Sequence, residues 1–254
     1  MIRERRDESG RILELRLDRP PANALNAELL GLLTRHVRAA SESDAGAVVL
    51  SGLPGTFSAG LDIHELLRLD AAGIAELWRS LLDALRGVAS SAVPVVAALT
   101  GHAPAGGAVL ALCCDYRVMS EGEYGIGLNE VAVGIPLPRL IFELLERIVG
   151  SRQAEKLAVS GRMVSPAEAL AIGLVDELAP PDEVVARAEA RCQELLCLPR
   201  RAMLETRATA RASLMGELAE EDEALIDRLV EAVQAPDTRQ ALQAVAKRLT
   251  QPLR

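Results

Sequence analysis

Flat side chains are the scarcest feature of this sequence: one Trp, two Tyr and two Phe among 254 residues. That is too few for the stacking platforms on which single-stranded nucleic acids are held. Basic charge is also short. Lys and Arg number 28 against 36 Asp and Glu, a net charge of −8, and a chain that gathers phosphate backbones needs the opposite balance. A nucleic-acid partner is therefore not expected, although a local patch for one anionic ligand remains open. Metal-ligand sets are missing too. The cysteines at 113, 114, 192 and 197 and the histidines at 36, 64 and 102 fall at no metal-ligand spacing, and the cysteines fit no disulfide framework. Met1 to Glu8 is charged with no apolar run behind it, so the reading expects no secretory signal and a cytoplasmic protein. Gly87 to Cys114 carries no Asp, Glu, Lys or Arg and is long enough to cross a bilayer. Pro94, Pro104, Gly101, Gly106 and Gly107 interrupt it, so it reads as a buried strand, a loop and a buried helix rather than a membrane span.

What is present is an α/β pattern. Ile12 to Asp18 alternates as a half-buried strand with Leu13, Leu15 and Leu17 inward and Glu14 and Arg16 outward. Asn26 opens a helix on Leu29, Leu30, Leu33 and Val37 that runs out near Ser41 to Asp44. Ala47 to Leu50 is a buried strand, Gly52 to Gly60 a loop, and Asp62 with Glu65 a helix-capping pair. A further helix is expected over 71–89. Val93 to Leu99 is again a strand, followed by the loop Thr100 to Ala105 and a helix from Gly106. The unit of strand, glycine-bearing loop and helix thus occurs twice. Tyr116 to Met119 is a strand candidate, Tyr124 to Gly134 an extended stretch, and Ser165-Pro166-Ala167-Glu168 a helix start that stops near Gly173. Beyond Pro180 no strand signal remains, which reads as an all-helical appendage. Its apolar stripe Leu225, Leu229 and Val233 would be exposed without a second copy of the chain.

Two glycine loops, Ser58-Ala59-Gly60-Leu61-Asp62 and Ala105-Gly106-Gly107-Ala108, each lead into a helix and offer unpaired backbone N–H groups. Aimed at one point they would bind an oxyanion; otherwise they are turn residues only. Neither matches a nucleophile elbow, a Walker loop or a dinucleotide fingerprint. His36 and His64 read as helix-surface residues, and His102 as a possible pocket residue without a visible partner. Glu130 stands apart, alone in the apolar stretch Ile126 to Gly134. It is either a desolvated acid with a raised pKa or a strand-edge residue facing solvent. Arg200, Arg201, Arg207 and Arg211 read as an exposed helical face.

The runs Arg19-Pro20-Pro21-Ala22-Asn23-Ala24-Leu25-Asn26, Phe57-Ser58-Ala59-Gly60-Leu61-Asp62, Pro104-Ala105-Gly106-Gly107 and Cys114-Asp115 resemble, in this order, the crotonase or enoyl-CoA hydratase/isomerase superfamily. The resemblance covers about residues 10 to 180. It implies an α/β spiral of ββα repeats over 1–180 holding a CoA-thioester site, and a helical oligomerisation region over 181–254. It also implies a homo-oligomer, a trimer or a dimer of trimers, and no cofactor beyond the coenzyme A of the substrate. Carried over by position, the backbone N–H groups of Leu61 and Gly106 would form the oxyanion hole for the thioester oxygen. Ser58, Ala59, Gly60, Asp62, Ile63, Val109 and Asn129 would line the substrate site.

Members of the superfamily differ in their acids. The hydratases look like Gly-Gly-x-Glu in the second loop, where this chain has Val109, and their later glutamate matches Glu130. Other members place an Asp shortly afterwards, whereas Val131 to Phe142 contains no carboxylate. A single acid remains, a pattern similar to the mitochondrial-type Δ3,Δ2-enoyl-CoA isomerases. The implied reaction is conversion of a 3-enoyl-CoA to the 2-trans isomer, with Glu130 shuttling one proton. The alternatives are a hydratase or another acyl-CoA lyase of a specialised pathway, with Glu121 or Glu123 recruited as second acid, and a non-catalytic acyl-CoA-binding protein. Pro21 and His64 stand where many members carry Lys. Lys247, near the C-terminus, would then be the candidate contact for the CoA phosphates of a neighbouring subunit. In such a fold the helix from Asp62 to Leu85 is expected to cover the acyl group and to be mobile.

Overall fold

The computed structural model describes residues 1–219 and 223–249; the rest of the expected helical region, 220–222 and 250–254, lies outside the described residues. The chain opens with β1 (Ile2–Arg6), β2 (Ile12–Leu17), α1 (Ala27–Glu42), β3 (Ala47–Ser51), β4 (Gly55–Thr56), α2 (Ile63–Leu66) and α3 (Ala71–Ala89). Next come β5 (Val95–Leu99), β6 (Gly101–Pro104), α4 (Gly106–Leu112), β7 (Tyr116–Ser120), β8 (Ile126–Gly127) and a 3-10 turn over Glu130–Val133. Then follow α5 (Arg139–Val149), α6 (Ser151–Ser160), α7 (Pro166–Ala171) and β9 (Glu177–Ala179). Five helices complete the described chain: α8 (Val184–Leu196), α9 (Arg200–Ala210), α10 (Ala212–Ala219), α11 (Glu223–Gln234) and α12 (Pro236–Leu249).

The strands form two sheets. The larger has the order β1-β2-β3-β5-β7-β9, parallel throughout except for the antiparallel β1–β2 edge. The smaller is the parallel trio β4-β6-β8. Three times the chain lays one strand in the large sheet, the next in the small sheet, and then turns into helix: β3-β4-α2, β5-β6-α4, and β7-β8 with the 3-10 turn. This is the ββα spiral that the resemblance implied. Because the small sheet is parallel, its three strands deliver the segments after Thr56, Pro104 and Gly127 from the same end.

Caps read from the sequence hold. Asn26, Asp62 and Ser165 each accept from the backbone N–H three residues on, the bond that an N-cap supplies. Other expectations need correction. The loops 52–60 and 100–105 contain the small-sheet strands β4 and β6, and β1 and β9 carried no sequence signal. β1 is a sheet edge whose last four side chains are exposed, so its pattern has no apolar alternation. Glu14 is not on a solvent face: it is buried, accepting from Ser51 Oγ at 2.6 Å and from Arg5 Nε at 2.8 Å.

The reason is α8, whose Val184, Ala188 and Cys192 pack against Ile12, Val49, Val96 and Val118 on the second face of the large sheet. A parallel sheet needs both faces covered, so α8 is core rather than appendage. Leu229 and Val233 are likewise buried within the same chain, in the main core with Ile74 and Leu77 of α3, and give no argument for a second copy. Arg207 and Arg211 are not an exposed face. Arg207 Nε and Arg211 Nη1 donate to Asp115 at 2.7 and 3.0 Å, and Arg211 is 7 % exposed.

Candidate active site

The first glycine loop is held by the segment before α1. Asn23 donates from Nδ2 to the Phe57 carbonyl at 3.0 Å and accepts at its own carbonyl from Ser58 Oγ at 2.8 Å. Ala59 N–H donates to Ala22, Leu25 N–H to Gly60, and Asp62 N–H to Leu25. With Gly60 N–H donating to Ser58 Oγ at 3.2 Å, the amides on either side are taken, and Leu61 N–H is left without an acceptor among the described residues. Asp62 caps α2 and pairs with Arg19 at 2.7 Å. Partial burial acts against its charge, but the Glu65 N–H and the Arg19 guanidinium win and hold the carboxyl below its ordinary value.

The second loop lies directly against the first. A Cβ placed on Gly60 would stand 3.2 Å from Gly106 N, and one on Gly106 would stand 3.6 Å from Leu61 N. Gly107 has no alternative, because its Cβ would meet the Ser58 carbonyl oxygen at 2.6 Å. Ala105 takes φ +45° and ψ −122°, a conformation that ordinarily calls for glycine. Its own N–H donates to Gly127 at 2.8 Å, while Gly106 N–H, like that of Leu61, has no acceptor among the described residues. The strained peptide therefore turns one free amide out beside another. Of the two readings open for these loops, the geometry favours the shared anion-binding point over turn residues alone.

The third segment carries Glu130. The stretch 124–134 is extended only over Ile126–Gly127; Glu130 begins the 3-10 turn and is 7 % exposed, so it is not a strand-edge residue in solvent. Its Oε2 has no hydrogen-bond partner among the described residues. Burial pushes its pKa up to about 7, against the opposing effect of its own backbone N–H.

These three segments border one cavity of about 490 Å³. Of the residues singled out from the sequence, Ala59, Leu61, Ile63, Gly106, Val109, Asn129 and Glu130 line it. Ser58, Gly60 and Asp62 do not; they shape the loop from behind. Glu121 and Glu123 are exposed and outside the lining, which leaves Glu130 as its only carboxylate among the described residues. His102 is exposed on β6, accepts at Nδ1 from Gly125 N–H and meets the Tyr124 ring edge-on, away from the cavity. Lys247 is exposed and not part of the lining; its neighbour Arg248 is.

The remaining wall was invisible in the sequence. Leu66, Trp78, Leu81, Ile141, Leu242 and Val245 enclose the apolar end. Helical periodicity marks such residues as buried without telling a cavity wall from a packed core. The segment 62–85 does cover the site, though as two helices, α2 and α3, rather than one.

The Enoyl-CoA hydratase/isomerase family model matches residues 7–252. The chain belongs to this family. Enoyl-CoA delta isomerase 1, mitochondrial, from Mus musculus is 34 % identical over 240 residues, covering 93 % of this chain and 83 % of that protein. A probable enoyl-CoA hydratase from Mycobacterium avium is 36 % identical over 199 residues, 76 % of each chain. The crystal structure of human mitochondrial delta3-delta2-enoyl-CoA isomerase superposes with a TM-score of 0.92 at 30 % identity, covering 98 % of this chain and 97 % of that one. The α/β spiral is thus the fold of a known enoyl-CoA enzyme family, and both reactions in the family's description occur among the named relatives.

Proposed function

We propose that the protein is a Δ3,Δ2-enoyl-CoA isomerase. The observation that carries this reading is that Glu130, buried, is the single carboxylate among the described residues lining a cavity whose Gly-Gly-x-Glu position is the apolar Val109. Hydration of a double bond must activate water and place its proton, work for two acids. A double-bond shift needs one base that takes a proton and returns it elsewhere.

In the proposed reaction the thioester oxygen lies against the free N–H groups of Leu61 and Gly106. Glu130 removes a proton from the α carbon, and the electron pair of the broken C–H bond spreads into a dienolate whose charge rests on that oxygen. The protonated Glu130 then donates to the γ carbon, leaving the double bond between α and β carbons and the carboxylate restored. A carboxyl group titrating near 7 suits both halves of this exchange at neutral pH. The cycle balances without a further cofactor.

The proposal includes a homo-oligomer, supported by the resemblance and by the exposed Val131, the residue after Glu130, and Val159 on α6. It also places the CoA phosphates among cationic side chains of α12, where Arg248 lines the cavity and Lys247 lies beside it. The second reading, hydration, is favoured by the Mycobacterium avium relative.

The test runs isomerisation of 3-hexenoyl-CoA beside hydration of crotonyl-CoA for the wild type and Glu130→Gln. Isomerisation that falls by at least about 1000-fold in the variant, with negligible hydration throughout, is the expected result. Hydration by the wild type would overturn the single-acid argument. Binding of both thioesters without turnover would point to the non-catalytic alternative.

A further inference from the structure

Two consecutive residues at the start of α12 hold the far ends of the two elements that carry the proposed chemistry. Thr238, 1 % exposed, donates from Oγ1 to the Gly134 carbonyl at 2.9 Å. Gly134 closes the 3-10 turn that Glu130 begins, with φ +79°. The contact is tight: a Cβ on Gly134 would stand 2.8 Å from Thr238 Oγ1 and 3.1 Å from its Cα, so only a bare backbone fits there. The same turn is latched from inside by Ile135 N–H donating to the Glu130 carbonyl at 3.1 Å. Arg239 donates from Nη2 to the Leu67 carbonyl at 2.8 Å. Leu67 caps the end of α2, and Asp62, the residue after Leu61, caps its start.

Adjacent Cα atoms are held about 3.8 Å apart across a trans peptide, and inside a helical turn their relative orientation is fixed as well. The end of the Glu130 turn and the end of the Leu61 element are thus tied to neighbouring points of one rigid turn, more than a hundred residues away in sequence. We infer that Thr238 and Arg239 are positioning residues that set the separation between the Glu130 carboxylate and the Leu61 N–H. This rests on the roles proposed for those two groups. Neither Thr238 nor Arg239 lines the cavity, so they act on the reaction only through the elements they hold. A misplacement of about 1 Å between reacting groups costs on the order of 100-fold in rate, whereas substrate contact along the apolar wall is left intact. The loss should therefore appear in kcat and not in KM.

The experiment uses the full chain and three variants. Thr238→Val keeps the shape and removes the donor, Thr238→Ser restores a hydroxyl, and Arg239→Met keeps the length without the guanidinium. Isomerisation of 3-hexenoyl-CoA is measured beside binding of hexanoyl-CoA, which has no double bond to move. In Thr238→Val and Arg239→Met, kcat is expected to fall about 10- to 100-fold, with KM and hexanoyl-CoA affinity within about twofold of wild type. Thr238→Ser regains most of the rate.

Hydrogen–deuterium exchange gives a readout that needs no turnover. Thr238→Val should speed exchange over 130–135 and Arg239→Met over 61–67. Unchanged kcat in both variants, a parallel loss of rate and ligand affinity, or unchanged exchange in both segments would each overturn the inference. If the wild type moves no double bond, the proposed reaction fails and the exchange result alone decides whether the two residues hold their segments.

Discussion

Burial pushes the pKa of Glu130 up to about 7, and this couples activity to stability. In the proposed reaction the base form is the carboxylate, so kcat/KM for isomerisation is expected to rise with pH through about 7 and then level. Stability moves the other way. A folded-state value raised above the ordinary 4.5 means that the folded chain binds this proton more tightly than the unfolded chain. The contribution of Glu130 is thus complete below pH 4.5 and is lost as pH rises through about 7. A shift of this size corresponds to about 3 kcal/mol. Glu130→Gln has no such proton to lose. Urea titrations should therefore show the variant gaining about 3 kcal/mol on the wild type between pH 4.5 and pH 8, whereas a constant difference would place the folded-state pKa near its ordinary value. The lone acid in an apolar run was legible in the sequence, but its freedom from partners was not. That depends on which side chains approach from α3, α5 and α12, and no local pattern encodes it.

Helices were legible where periodicity and caps agree: α1, α3 and α7 fall where Asn26, the 71–89 pattern and Ser165 placed them. Two-residue strands such as β4 and β8 were not, because alternation has no meaning over so short a run. The arginines in the last turn of α9 and at its C-cap illustrate a different failure. Arg207 and Arg211 lie one helical turn apart, as solvated charges on an exposed helix would, yet both converge on Asp115, which also accepts from Val95 N–H at 2.8 Å. Arg207 reaches on to the Ser91 carbonyl and Arg211 to that of Cys113. The cluster fastens α9 to the ends of β5 and β7. Burial lowers the pKa of Arg211, while Asp115 supports its charge. Asp115→Ala should therefore cost about 3–5 kcal/mol, since it leaves a buried guanidinium without its counter-ion. Chemical denaturation reads this directly, and a loss under 1 kcal/mol would show that the cluster is solvated after all.

At the scale of the whole molecule, order along the chain told more than any single motif. The repeated strand, glycine loop and helix mark an α/β layer, and the motifs in sequence order point to the family that residues 7–252 match. What stayed hidden is what the tail does. α8 completes the core, α12 closes the cavity, and neither role leaves a trace in amphipathic spacing, which is the same for a helix on a sheet, on a site or on another subunit. The proposed oligomer therefore rests on other surfaces. With Val131 and Val159 exposed, light scattering on the purified protein should return three or six times the chain mass, and a monomer would leave those residues in water. The small sheet β4-β6-β8 also bears on how the protein comes into being. Its strands are short, and the residues they pair, 55 with 101 and 103 with 126, are far apart in the chain. Closing such separations costs chain entropy before any contact repays it. The bond from Thr238 to Gly134 spans 104 residues more. A newly made chain therefore acquires its chemistry last, after both layers and the C-terminal helix have met. In refolding, recovery of catalysis should lag behind recovery of helical signal, and a half-folded molecule would hold no thioester in a reactive form.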